Sequence, residues 1–134
     1  MTQVIHVKPG VVFKEFNCYT FEFLAALYKC AKRFNCDYTI TSANDGKHCK
    51  TSFHYRNTAW DIRLHDKTPG HWYVLQAALK VELPPYFDIV IEGIDSEGHA
   101  TDNLHMHVEA DLKKVGSFII AAGDIAREHA EGVS

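Results

Sequence analysis

The sequence predicts an α+β fold with a small, mainly antiparallel sheet and flanking helices, on three observations. Two stretches read as helices: residues 18–35 carry apolar residues at helical spacing, and Thr68-Pro69 opens a second helix that runs to about Leu83. Four others, 38–41, 58–64, 87–92 and 104–110, are short and β-prone, and the clearest of them alternate polar and apolar residues. The two kinds are mixed without the regular strand–helix–strand alternation that a parallel sheet requires.

Each element has its own local reason. Residues 4–13 (VIHVKPGVVF) read as two short β-prone pieces broken by the turn pair Pro9-Gly10. In residues 18–35 an apolar stripe of Phe23, Leu24, Leu27, Tyr28, Ala31 and Phe34 predicts a helix, with Asn17 or Thr20 as N-cap. YTIT at 38–41 is a short strand, and the polar run 42–53, containing Asn44-Asp45-Gly46, is a loop. TAWDIRL at 58–64 alternates, placing Ala59, Asp61 and Arg63 on one side and Trp60, Ile62 and Leu64 on the other. Thr68 caps a second helix with Pro69 in its first turn, and Pro84-Pro85 stops it near Leu83. FDIVIE at 87–92 is a strand, and the glycine- and acid-rich run 93–103 is a loop. In LHMHVEA at 104–110, Leu104, Met106 and Val108 face one way and His105, His107 and Glu109 the other. From Asp111 to about His129 an apolar stripe predicts a helical tail, weakened by Gly116 and Gly123.

Bulk properties narrow the function classes. A length of 134 residues suits one domain, 1–134, with a motif-bearing core at about 38–110 and the tail at 111–134. At 46% hydrophobic and 23% charged, the chain should be globular. Its net charge of −3 lacks the basic surplus of a nucleic-acid binder. No apolar run is long enough to span a bilayer. The N-terminal MTQVIHVKPG lacks a charged-then-apolar signal, so synthesis in the cytoplasm without self-directed export is expected. The spacing of Cys18, Cys30, Cys36 and Cys49 includes no CxxC pair, which argues for free thiols over a four-cysteine zinc site. Nine histidines point toward metal or acid–base chemistry.

The chemistry gathers in two places. Two histidines at i and i+2 on a strand share a face, so His105 and His107 can serve one site, although a polar solvent face would look the same. His54 and Asp61 can join them if the loop folds back, and two histidines with one aspartate suit a three-ligand catalytic zinc. A strand-edge surface carboxylate is the plainer reading of Asp61, yet it sits between Trp60 and Ile62 in a strand that otherwise looks well packed. Cys49 beside His48 has no evident orienting partner for thiol catalysis. His65, His71, His99 and His129 read as surface residues. Glu109 either orients a ligand from behind or is simply solvated.

Together these motifs resemble the LAS zinc peptidases, a group that includes D-alanyl-D-alanine carboxypeptidases, phage endopeptidases and the hedgehog signalling domain. SFHYRNTAWDI resembles the S-x-H-x-x-G-x-A-x-D motif at Ser52, His54, Ala59 and Asp61, and His105-Met106-His107 resembles the second motif, H-x-H. DGKHCKTSFHY is similar to the hedgehog version, which carries an extra active-site histidine where His48 stands.

The resemblance implies a hedgehog-like fold and one Zn2+ held by His54, Asp61 and His107, with His105 and His48 flanking the metal. It also implies a carboxylate base. Glu92 matches the hedgehog glutamate at the end of its strand. Asp102 lies five residues before His107 and would be preferred if His105 were the true ligand. The strand end is the more rigid mount, which favours Glu92.

Two departures bear on substrate. Asn57 stands where the family has glycine, a residue that tolerates left-handed backbone. The arginine that holds a terminal carboxylate in carboxypeptidase members has no counterpart in Thr41-Ser42-Ala43-Asn44, which leaves an endopeptidase open; Arg56 or Arg63 offers a charge, or is a solvated residue. The implied activity is hydrolysis of peptidoglycan stem or cross-link peptides by a phage or prophage endolysin-type or virion-associated enzyme. It would act as a monomer on the cell wall after release. The contrasting expectation is a non-catalytic, zinc-containing binding module.

Overall fold

In the computed structural model, residues 2–43 and 58–117, with 119 and 123, are described. The elements in order are β1 (Ile5–Val7), α1 (Cys18–Phe34), β2 (Tyr38–Ser42), β3 (Ala59–Arg63), α2 (Pro69–Glu82), β4 (Phe87–Ile94) and β5 (Ala100–Ala110). Residues 112–117 are also helical. The strands form one sheet in the order β1-β2-β3-β5-β4, parallel only between β1 and β2. The α+β class and the mainly antiparallel sheet follow the expectation. Among the described residues, no helix is long and apolar enough to cross a membrane.

The helices begin where the sequence places their caps. Asn17 Oδ1 accepts from the backbone N–H groups of Tyr19 and Thr20, and the Thr20 hydroxyl accepts from Asn17 N–H, closing a capping box. At the other end Asn35 takes a left-handed conformation, φ 52°, and its N–H bonds the Ala31 carbonyl. In α2 the Thr68 side chain accepts from His71 N–H, Pro69 fits the first turn, and Leu83 ends the helix before Pro84-Pro85.

One face of the sheet is core. Trp60, Ile62, Leu104, Met106, Val108 and Ile89 pack with Phe23 and Leu27 of α1 and Leu75 and Leu79 of α2 in a single buried cluster. The Phe23 and Trp60 rings stack with centroids 4.7 Å apart. Because strand side chains alternate, burying these residues forces Asp61, Arg63, His105, His107 and Glu109 onto the opposite face.

Two boundaries differ from the sequence reading. Only Ile5–Val7 pairs at the N-terminus. After Lys8 N–H bonds the Ile40 carbonyl, Pro9 and Gly10 (φ 91°) turn the chain out of the ladder, and residues 11–13 form no strand. The run 93–103 is not one loop. β4 continues to Ile94, β5 starts at Ala100, and only residues 95–99 turn, with Asp95 Oδ1 accepting from the N–H groups of Glu97 and His99. Glycine and acids lower β propensity locally, but hairpin pairing of Ile94 with Ala100 outweighs it. Asp102 therefore lies on a strand, contrary to the expectation. The predicted tail starts as expected, with Asp111 Oδ1 accepting from Lys113 N–H, but most of it falls outside the described residues.

Candidate metal centre

Register places the site. β3 runs antiparallel to β5 with Asp61 directly opposite His107 and Arg63 opposite His105, while β4 on the other side sets Glu92 opposite His105. Directly opposed residues share a face with Cβ atoms about 5 Å apart, so these side chains must meet.

They form a row in which carboxylates and imidazoles alternate. Glu109 Oε2 is 3.3 Å from His107 Nε2, and His107 Nδ1 is 2.9 Å from Asp61 Oδ1. Asp61 Oδ1 is 3.7 Å from His105 Nε2, which is 3.2 Å from Glu92 Oε2. Asp61, His105 and His107 are each about 15% exposed, and Glu92 is the open end at 45%.

Each imidazole is held by one nitrogen and presents the other. His105 Nδ1 lies 2.6 Å from the Asn103 carbonyl, which makes it the donor there and leaves Nε2 facing Asp61 and Glu92. His107 contacts Glu109 through Nε2 and presents Nδ1 to Asp61. Metal-binding histidines carry this signature: an outer partner fixes the ring and the inner nitrogen faces the ligand set. One ligand atom each from Asp61, His105 and His107 lies within 4.8 Å of the others, a spacing able to hold a metal ion. Two imidazoles and a carboxylate are the donor types zinc takes in three-ligand sites. The described donors suit a metal ion.

The electrostatics belong to the same row. Burial disfavours the His107 imidazolium, but the hydrogen bonds and charges of Asp61 and then Glu109 outweigh it, raising the pKa from 6.5 to about 9. A metal entering at His107 therefore competes with a proton.

Asp61, His105, His107 and Glu92 lie together in this row; alternation had put His105 and His107 on one face, and Glu92 had come only from the resemblance. Asp102 lines a cleft with Asp61 and His105, but among the described residues its carboxylate bonds none of the cluster. His48 and His54, with Ser52, Cys49, Arg56 and Asn57, lie outside the described residues. His71 is not a plain surface residue. Its Nε2 is 2.6 Å from the buried Tyr38 hydroxyl, and burial lowers its pKa. Residues the sequence did not single out are Lys8, which also lines the cleft, and Gly93. The glycine, at φ 86°, sits in the register break beside Glu92, where an added Cβ would collide with the Asn103–Leu104 backbone. A glycine at a strand end was the available signal.

Comparison with known proteins gives no matching family model, no matching curated protein and no matching solved structure.

Proposed function

We propose that this chain is a zinc-dependent peptidase of the LAS type, with a hedgehog-like fold, that hydrolyses peptide bonds of peptidoglycan in the manner of a phage or prophage endolysin. The observation that carries the reading is the pair of histidines, each anchored by one nitrogen and turned toward Asp61 by the other. The H-x-H and S-x-H-x-x-x-x-A-x-D patterns supply the rest: the resemblance adds His54 as a ligand with Asp61 and His107, and His105, whose ligand atom lies within reach of the same ion, stands beside it.

When bound, zinc supplies an acidified water and polarises the scissile carbonyl. Glu92 stands at the open end of the row, against His105, where a carboxylate can take a proton and return it to the leaving amine. His105, tethered through Nδ1, offers Nε2 toward the reacting group. Glu109 keeps the His107 ring in place from behind. Glu92 is preferred over Asp102 as the base because it belongs to the row and Asp102 does not.

The test pairs metal content with amine release from purified peptidoglycan. Asp61→Asn and His107→Ala should lose the metal. Glu92→Gln should keep it and lose on the order of 100-fold or more in rate, while Asp102→Asn keeps both. A fully zinc-loaded wild-type protein that releases no amine from a panel of wall chemotypes would sink the peptidase reading and leave the non-catalytic module.

A further inference from the structure

The sheet has two edges, and only one is guarded. β1 is three residues long and Pro9-Gly10 turn the chain away after it, so little of its backbone can pair with another chain. β4 is eight residues long and holds no proline or lysine, and its two acids are engaged, Asp88 by Lys114 and Glu92 by His105. Register says which of its backbone groups face outward. Asp111 N–H bonds the Tyr86 carbonyl, so these two form a hydrogen-bonded pair, and in an antiparallel ladder every second pair does the same. The pairs Asp88–Glu109, Val90–His107 and Glu92–His105 therefore turn their groups into the sheet, while Phe87, Ile89 and Ile91 turn theirs out. The Pro84 carbonyl accepts from Phe87 N–H, and Gln76 Nε2 of α2 donates to the Ile89 carbonyl at 2.9 Å. Among the described residues, Ile89 N–H and both backbone groups of Ile91 bond no other group.

The helix beside this edge is apolar on its outer side. Gln76 marks the side of α2 that reaches over β4. At about 100° per residue, Tyr73, Ala77, Val81 and Val74 follow it around the helix, away from the buried Trp72, Leu75 and Leu79. Tyr73, Val74 and Val81 are 56%, 48% and 77% exposed. An extended peptide on β4 would satisfy the edge and leave this arc bare. A second copy of the chain covers both, because its strand brings its own α2. We propose that β4 pairs antiparallel with β4 of a second copy about a two-fold axis, joining two five-stranded sheets into one and laying α2 along α2, in place of the expected monomer. Such a contact closes at two copies. The axis passes through Ile91, which offers a donor and an acceptor, whereas the Ile89 carbonyl is already taken. This register sets Glu92 opposite Val90 of the second copy; centring on Val90 would set it against Asp88. The two metal rows then share one face, roughly 20 Å apart, about four strand spacings.

Neither the edge nor the arc depends on the peptidase reading, and the test stands whether or not wall peptides are cleaved. The full chain is sedimented from micromolar to millimolar concentration, and its amide hydrogen exchange is followed at both ends of the range. Monomer should convert to dimer and to nothing larger, with exchange at Ile89 and Ile91 slowed on the order of tenfold or more. Val90→Glu should weaken the dimer about tenfold by setting two like-charge pairs across the seam, while Val90→Lys, meeting Glu92 of the second copy, should preserve or tighten it. Val81→Glu on α2 should weaken it too, with thermal melts showing that each variant folds. A chain that stays monomeric, or that builds species larger than two, overturns the proposal. So does a dimer indifferent to Val90→Glu and Val81→Glu, or one with unchanged exchange at Ile89 and Ile91. Weakening by Val90→Lys overturns the pairing about Ile91.

Discussion

At the scale of single residues, His107 concentrates the chemistry, because two carboxylates grip it from opposite sides. Their pull raises its pKa from 6.5 to about 9. A raised histidine contributes stability that is fully present below its unfolded value and is lost as pH rises through the folded one. The metal-free chain should therefore melt at progressively lower temperature between about pH 6.5 and 9, and His107→Gln should flatten that limb. Thermal melts across the range, with chelator present, check this. Glu109 acts on the same ring from outside the donor set. Glu109→Gln should weaken zinc by about 10- to 100-fold, the usual effect of removing a histidine's outer partner, measured by competition with a calibrated chelator. An unchanged affinity would assign Glu109 to the solvent face, the plainer of the two readings its sequence position allows.

At the scale of elements, caps and breaks decide where side chains arrive. The Asn17 capping box starts α1, and Asn17→Ala should cost about 1 kcal/mol, read as a shift in denaturation midpoint with the metal affinity unchanged. The break between Glu92 and Ile94 matters more for function. Gly93 takes a left-handed φ of 86° with backbone packed against its α-carbon. Gly93→Ala should destabilise by about 1–3 kcal/mol or more, from backbone strain together with the collision. It should also move Glu92 relative to His105, lowering the rate of peptide hydrolysis while leaving zinc bound. A loss of stability with normal activity would show that the break serves the hairpin and not Glu92.

At the scale of the whole molecule, the sheet separates stability from chemistry. Trp60 is 1% exposed and stacked on Phe23, whereas its neighbour Asp61 belongs to the polar row behind it. Trp60→Ala should cost about 3–5 kcal/mol and lower zinc binding only through unfolding. Asp61→Asn should abolish zinc binding in a chain that still folds. Denaturant melts and metal analysis on the two variants make the comparison.

Much of this arrangement was legible locally. Period-two alternation in LHMHVEA and TAWDIRL marks which side chains share a face, because a strand offers only two faces and the apolar one must be buried. Asn17 and Thr68-Pro69 mark helix starts because a helix leaves its first N–H groups without partners. Those rules act within a few residues. The pairing of Asp61 with His107, 46 residues apart, depends on β5 inserting between β3 and β4 and on its register. A shift of one residue would have turned both histidines into the core. The turn confined to residues 95–99, the glycine break beside Glu92 and the cleft that joins Lys8 to Arg63 arise the same way, from strand pairing across long loops. The sequence by itself determined which residues face together and which are chemically suited to a metal. The tertiary structure alone decided which of them meet, because strand partner and register are settled by burial summed over the whole sheet.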